Sequence, residues 1–393
     1  MIGANQLTTG DAAARRDSAA SRDSATRTVI SAWSAVSPFG LDSVDFAAGL
    51  RKRRHVASVN GRDWLAPVEA ARQVPGFDTQ EVLGRKGTRS MDRVTALAVA
   101  ATGRLLRGPG GERIDGVSKD AALVLGVNIS SAQSIMDFTR DTLVQDKPYF
   151  VDPARFPNVV LNCAAAQCAI WHRLQGPNAT ISAGHASGLV ALSYARRLLR
   201  FGRAGTVLCG AAEEFSAARA WLETLSEPDR PATAVLGEGC AMVLLEPGDR
   251  PAWYRRTELA ELLALEFGVC RELTGVLPAL SGCLDRVFAA AHESPARLWA
   301  VISSGGPNLP GAAEDAALTE ILGGRVPVRL RTRDLVGDAG AAAAAFGLTA
   351  VLALAAQEPA ARGRTALLTA VDRDGVVGCA LLRLACGGGE QPS

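Results

Sequence analysis

One alternation runs twice through this chain: short apolar runs of strand length, separated by stretches with helical spacing. In the first half, residues 28–33, 121–126, 180–184, 206–210 and 241–246 read as strands. Residues 91–106 place Met91, Val94, Leu97, Ala98 and Leu105 at helical intervals. Residues 186–200 put Leu189, Leu192, Ala195 and Leu199 on one face, with Arg196, Arg197 and Arg200 near the end, where cations suit the helix dipole. In the second half, residues 259–267 read as a strand, although Glu261 and Glu266 leave a helix open. Residues 277–292 read as an amphipathic helix with Pro278 tolerated in its first turn, and 298–303 as a strand. Residues 312–322 form a helix stopped by Gly323 and Gly324, 339–357 a long small-residue helix, and 365–371 and 379–384 the closing strands. Two rounds of this pattern predict an α/β fold from an internal duplication. No sharp linker separates the rounds. Residues 27–250 and 251–386 are therefore expected to be two fused halves between a disordered tail at 1–26 and a flexible tail at 387–393.

Composition narrows what such a body does. Its 393 residues carry 42 Lys plus Arg against 40 Asp plus Glu, a formal net charge of +2, which argues against a nucleic-acid partner. A hydrophobic share of 48% excludes global disorder. The first 26 residues lack the apolar stretch of a secretory signal. No strongly apolar, uncharged run reaches the roughly 18 residues of a membrane span, so no membrane partner and a cytoplasmic location are expected. The eight Cys form no Cys-x-x-Cys and mostly sit in apolar runs, as buried free thiols do. His55, His172, His185 and His292 are not at ligand spacing, so no metal is expected. Gly337 to Gly340 is too short for a dinucleotide loop, and no phosphate-loop motif occurs, so no cofactor is expected either.

Two segments go further. The first runs from Arg155-Phe-Pro-Asn158 through Gln175-Gly-Pro-Asn178-Ala-Thr-Ile-Ser-Ala-Gly-His185-Ala-Ser-Gly to Gly205-Thr-Val-Leu-Cys-Gly-Ala-Ala-Glu213-Glu214. The second is Leu236-Gly-Glu-Gly-Cys-Ala-Met-Val-Leu-Leu-Glu246. In this order they resemble the β-ketoacyl synthases of the thiolase superfamily, from Thr28 to Leu384. The resemblance implies a thiolase-like fold of two duplicated halves layered α-β-α-β-α. It also implies a nucleophile at a sharp strand-to-helix turn, where the dipole and backbone N–H groups favour a thiolate. In the family a Cys there takes an acyl group from a carrier protein, and two His from the second half serve decarboxylation and the developing oxyanion.

This chain departs at all three positions. His185 stands where the Cys is expected. The matching stretch from Ser303 to Asp315 puts Ser304 at the first His, and Arg333-Asp-Leu-Val-Gly-Asp338 puts Asp338 at the second. The family's Gly-Phe-Gly-Gly gate is replaced by Asp372-Arg-Asp-Gly-Val-Val-Gly378, and the segment near 250–300 is short. His185, Ser304 and Asp338 are therefore read as degenerate catalytic positions. Asp338 is also explained as a helix N-cap, and Ser304 as a loop residue. The implied role is that of a chain length factor-like subunit of type II polyketide synthases, although such subunits often carry Gln where this chain has His185. Expected partners are an active ketosynthase, or a second copy of this chain, and an acyl carrier protein. An alternative is an acyltransferase or esterase using His185, with Asp338 or Ser304 assisting. The resemblance further implies that residues 179–184 pair across a two-fold axis and that 129–140 reach the partner's pocket. There Met136 and Phe138 are either core residues or substrate-tunnel walls. The basic run Arg51-Lys-Arg-Arg54 is a solvated face or a carrier-protein contact.

Overall fold

The computed structural model describes residues 27–52, 59–60, 66–107, 112–226, 235–249, 256–305, 309–323 and 326–386. Both predicted tails, and Arg53 and Arg54 of the basic run, lie outside them. Thirteen strands are described: β1 Thr28–Val36, β2 Val59–Asn60, β3 Ala70–Arg72, β4 Ala122–Gly126, β5 Asn178–Ile181, β6 Val207–Glu213, β7 Leu236–Gly237, β8 Gly239–Pro247, β9 Ala260–Val269, β10 Leu298–Ser303, β11 Val328–Arg331, β12 Thr365–Val371 and β13 Val376–Leu384. The helices are α1 Ser43–Arg51, α2 Thr79–Leu83, α3 Arg93–Leu105, α4 Ala132–Val144, α5 Cys163–His172, α6 Ser187–Arg200, α7 Ala217–Ser226, α8 Val276–Ala291, α9 Leu309–Leu322, α10 Thr332–Val336 and α11 Ala343–Ala355.

Ten strands form one sheet in the order β11-β10-β12-β13-β9-β1-β8-β6-β4-β5, and β2, β3 and β7 form a small second sheet. The large sheet reads as the same five-strand pattern twice. In one half β4 pairs parallel with β5 and β6, and β8 runs antiparallel between β6 and β1. In the other β10 pairs parallel with β11 and β12, and β13 runs antiparallel between β12 and β9. A short β1–β9 pairing, Val29 to Glu261 and Ile30 to Ala260, joins them.

Period-two alternation sets the layers. Ala122, Val124, Val207 and Cys209 face inward with Leu189 and Leu192 of α6 and Phe346 and Leu348 of α11. Their neighbours Leu123, Leu125 and Leu208 face outward against α3 and α5. In the second half Leu367, Leu381 and Cys379 face α8 and α9, while Ala366, Leu368 and Leu382 face inward. The result is the α-β-α-β-α body implied by the resemblance, with α6 and α11 as the central layer.

Two sequence readings are resolved here. Residues 260–269 are a strand, because the acids find guanidinium partners: Glu261 with Arg27 and Arg383, and Glu266 with Arg286. The helix expected at 339–357 divides into a 3-10 turn, Gly340–Ala342, and α11, since Gly340 has φ +46°. The apolar stretch Leu273–Ala291 has the length and mean hydropathy (1.2) of a membrane span. Within it, Leu280, Cys283 and Leu284 are buried against the second half-sheet. The eight Cys are unbridged, and all but Cys386 are buried.

Candidate functional site: a clamped histidine between the halves

The duplication brings two equivalent turns together at the N-termini of the central helices. Before α6 stands the 3-10 turn Gly184–Ala186, and before α11 stands Gly340–Ala342. Each opens with a glycine at positive φ, +53° at Gly184 and +46° at Gly340. Each turn is held by a carboxylate at the end of a strand in the other half. The His185 N–H donates to Asp372 Oδ1 (2.8 Å), just after β12. The Ala341 N–H donates to Glu213 Oε2 (3.2 Å), at the end of β6. Glycine is needed twice over. A Cβ on Gly184 would stand 1.8 Å from Asp372 Oδ1, and one on Gly340 would stand 2.4 Å from Glu213 Oε2.

His185 is thus the counterpart of Ala341 and faces into the seam between the turns. Its Nε2 lies 2.9 Å from Asp338 Oδ1 and its Nδ1 lies 3.3 Å from Asp372 Oδ1. Both carboxylates are almost fully buried, and His185 is nearly so. Burial works against protonating the ring, but Asp338 and Asp372 outweigh it and hold its pKa well above the usual histidine value. Burial likewise pushes Asp372 up, and His185 reverses this to leave it below the usual aspartate range. The two carboxylates thus favour the charged ring, which carries an N–H on each nitrogen.

Behind Asp338 lies a second buried charge. Arg219 of α7 donates to the carbonyls of Glu214 (2.9 Å), Gly237 (2.8 Å) and Asp338 (2.9 Å), with Glu213 Oε1 3.8 Å from its Nε. The guanidinium therefore lies behind Asp338 and ties the ends of β6 and β7 in the first half to the turn before α11 in the second.

The structure brings two of the three predicted positions together, His185 and Asp338. The N-cap reading of Asp338 fails: the cap positions of the turn and of α11 are Ala339 and Ala342, neither with a side-chain cap bond, and Asp338 Oδ1, one residue further back, instead accepts from Gly340 N (3.1 Å). Ser304 is more than a loop residue. It is buried, its Oγ donates to Glu314 Oε2 (2.8 Å), and the other Glu314 oxygen accepts from Thr369 Oγ1 (2.6 Å). Sequence reasoning missed Asp372 and Arg219 as members of the site. Aligning the two halves would have flagged Asp372, since Glu213 ends β6 where Asp372 follows β12; nothing in the local sequence marks Arg219.

Met136 and Phe138 lie on α4, of which only Ala132 is fully buried. Met136 is 47% exposed, and the Phe138 ring sits 6.0 Å from that of Phe156. Neither belongs to the apolar core, so the core reading fails. Two residues apart on a helix, they point in nearly opposite directions. Leu143, Val144, Tyr149, Phe150, Phe156 and Ile170 are also exposed, and β5 is the edge strand of the large sheet. Leu123 N donates to Pro177 O and Val127 N to Ile181 O, so the odd-numbered residues of this strand face β4. The backbone groups of Asn178 and Thr180 are left pointing outward. Among the described residues, no cluster of His, Cys, Asp and Glu has the makings of a metal site.

A fold of two duplicated half-sheets around paired central helices, with a strand-to-helix turn as its functional centre, defines the class. The family model "Beta-ketoacyl synthase, N-terminal domain" matches residues 25–250, over half the chain, and the chain belongs to the beta-ketoacyl synthase family. Among solved structures, the ishigamide ketosynthase/chain length factor is 40% identical with a TM-score of 0.85, covering 91% of this chain and 99% of that one. A beta-ketoacyl synthase from Burkholderia phymatum shares the fold at 21% identity and a TM-score of 0.76, covering 92% of this chain and 100% of that one. Among curated relatives, a putative polyketide beta-ketoacyl synthase 2 of Streptomyces virginiae is 30% identical over 288 residues, 67% of this chain and 69% of its own. The 3-oxoacyl-acyl-carrier-protein synthase 2 of Vibrio cholerae is 28% identical over 193 residues, 44% of this chain. That match spans 46% of the relative, about half its length.

Proposed function

We propose that this chain is a ketosynthase homologue that does not condense on its own. It acts as a chain length factor-like partner of an active ketosynthase in type II polyketide or fatty-acid-like biosynthesis. The observation that carries this reading is the double clamp on His185. A nucleophile or general base needs a free lone pair, and both ring nitrogens face carboxylate oxygens, of Asp338 and Asp372, that hold a proton on each. The same commitment disfavours the acyltransferase or esterase alternative, as does the engagement of the Ser304 hydroxyl by Glu314. With Asp338 neutralising the histidine, neither it nor Ser304 offers the imidazole pair that the family uses on a malonyl unit. Arg219 fills space beside the turn with a buried cation, an unsuitable surface for an acyl chain.

Partner binding is supported by the outward backbone groups of Asn178 and Thr180 and by the apolar side chains beside them. A free, partly apolar edge strand is a template for pairing with another chain. The likeness to the ishigamide ketosynthase/chain length factor supports an active ketosynthase as that partner over a second copy of this chain. In this reading the acyl carrier protein delivers to the ketosynthase, and α4 contributes a wall of the shared tunnel, with Met136 or Phe138 limiting chain length. Co-expression with an active ketosynthase followed by sizing tests it: a one-to-one complex is expected, and a chain that stays apart from the ketosynthase contradicts it.

A further inference from the structure

The helix that carries Met136 and Phe138 has little apolar anchorage of its own. Its counterpart by duplication, α9, buries Ala317, Leu318 and Leu322 in a core cluster with α8. In α4 only Ala132 is fully buried, and Leu143 is 79% exposed. A helix with so few buried contacts opens at low free energy unless something else holds it.

What holds α4 is polar and sits at its first turn. Ser131 caps the helix, its Oγ accepting from Ser134 N (3.2 Å) and donating to Glu214 Oε1 (3.2 Å). The same carboxyl oxygen accepts from Gln133 N (3.4 Å). Gln133 Oε1 in turn accepts from Ala218 N (3.1 Å), which ties α4 to α7. The turn before it is strained, with Ser130 buried at φ +60°. Glu214 itself is buried. The guanidiniums acting on it through the interior, Arg93 and Arg219, are already paired, Arg93 with Glu238 and Arg219 with Glu213 and Asp338. A buried carboxyl with no ion pair among the described residues, bonded at the first turn of α4 and to Ser216 ahead of α7, is an expensive feature for a purely structural loop.

We propose that Glu214 is a positioning residue: it fixes the first turn of α4, and through it the placement of Met136 and Phe138 that sets the acyl length made by the pair. The length consequence rests on the chain length factor reading; the fixing of α4 does not.

Hydrogen–deuterium exchange on the purified chain reads the first part without any partner. Glu214→Ala should speed exchange of amides 132–144 about tenfold while the β6 and α6 amides keep their wild-type rates. Glu214→Gln keeps an acceptor oxygen and should leave α4 as in the wild type. If Glu214→Ala does not fold, Ser131→Ala removes the partner hydroxyl alone, and about threefold faster exchange confined to α4 is expected. Unchanged exchange in α4 of a folded variant overturns the proposal. In the co-expressed pair, Glu214→Ala should broaden the product-length distribution and Glu214→Gln should not. If Phe138→Ala or Met136→Ala shifts the product and Glu214→Ala, with a loosened α4, does not, the link to length is overturned. If none of the three shifts it, the chain length reading falls, and faster exchange in α4 still supports the positioning role.

Discussion

His185 occupies a position where a thiol would gain from the helix dipole, yet its surroundings are built for a cation. Two carboxylates face its ring, and their attraction exceeds the burial cost and favours the charged imidazole. The sign of the pH dependence follows. A histidine whose folded pKa is raised stabilises the fold fully below its unfolded value, near 6.5, and loses that contribution as pH rises through the folded value. The lowered pKa of Asp372 contributes above its unfolded value and is lost in acid. Thermal unfolding of wild type against His185→Gln should therefore differ most in mildly acidic buffer, with the gap narrowing as pH rises above 6.5. A gap that widens with pH contradicts the charged assignment. Removing one carboxylate, as in Asp338→Ala, strands a buried cation and should cost about 3 kcal/mol, read by denaturant unfolding. His185→Cys should restore a thiol that alkylates. It should not restore condensation, because Ser304 remains tied to Glu314 and Asp338 cannot serve as the second imidazole.

At the scale of elements, the periodicity of the strands and helices was legible because it is local: each strand alternates and each helix repeats within its own residues. Even the ambiguous run at 260–269 resolves into a strand once Arg27, Arg286 and Arg383 are found opposite its acids. The clamp was only half legible. The resemblance pointed to His185 and Asp338, but Asp372 is 187 residues from His185 and meets it only because the duplicated halves cross their strand ends. Two expectations follow from this geometry. Gly184→Ala faces about 1–2 kcal/mol from the left-handed backbone alone, plus displacement of the Asp372 carboxylate. It should lower Tm more than Gly202→Ala, whose Cβ would meet nothing within 4 Å. In β5, Thr180→Pro removes an outward N–H while sparing the bonds to β4, so the chain should fold and fail to pair. Normal pairing by that variant would remove β5 from the interface. Glu214 belongs to this scale too. Burial first, then Asp92, raises its pKa to about 8, with Glu213 also raising it. The neutral acid therefore destabilises the fold as pH rises from its unfolded pKa through 8. Glu214→Gln should stabilise the chain by roughly 3 kcal/mol at pH 7 and not below pH 4.

Across the whole molecule, the duplicated fold brings its two central turns, Gly184–Ala186 and Gly340–Ala342, to one seam. The seam holds His185 between Asp338 and Asp372, with the buried Arg219 behind Asp338. In the proposed reading these paired groups do no condensation chemistry, while the exposed side chains of α4 and the edge strand β5 offer a surface to a partner. The most direct test is to incubate the purified chain, alone and with an active ketosynthase, with acyl- and malonyl-carrier protein, and to follow ketoacyl products by mass spectrometry. No ketoacyl product from the chain alone, and a defined product from the pair whose length shifts with Phe138→Ala or Met136→Ala, is the predicted result. A ketoacyl product formed by the pure chain and lost in His185→Ala would contradict it.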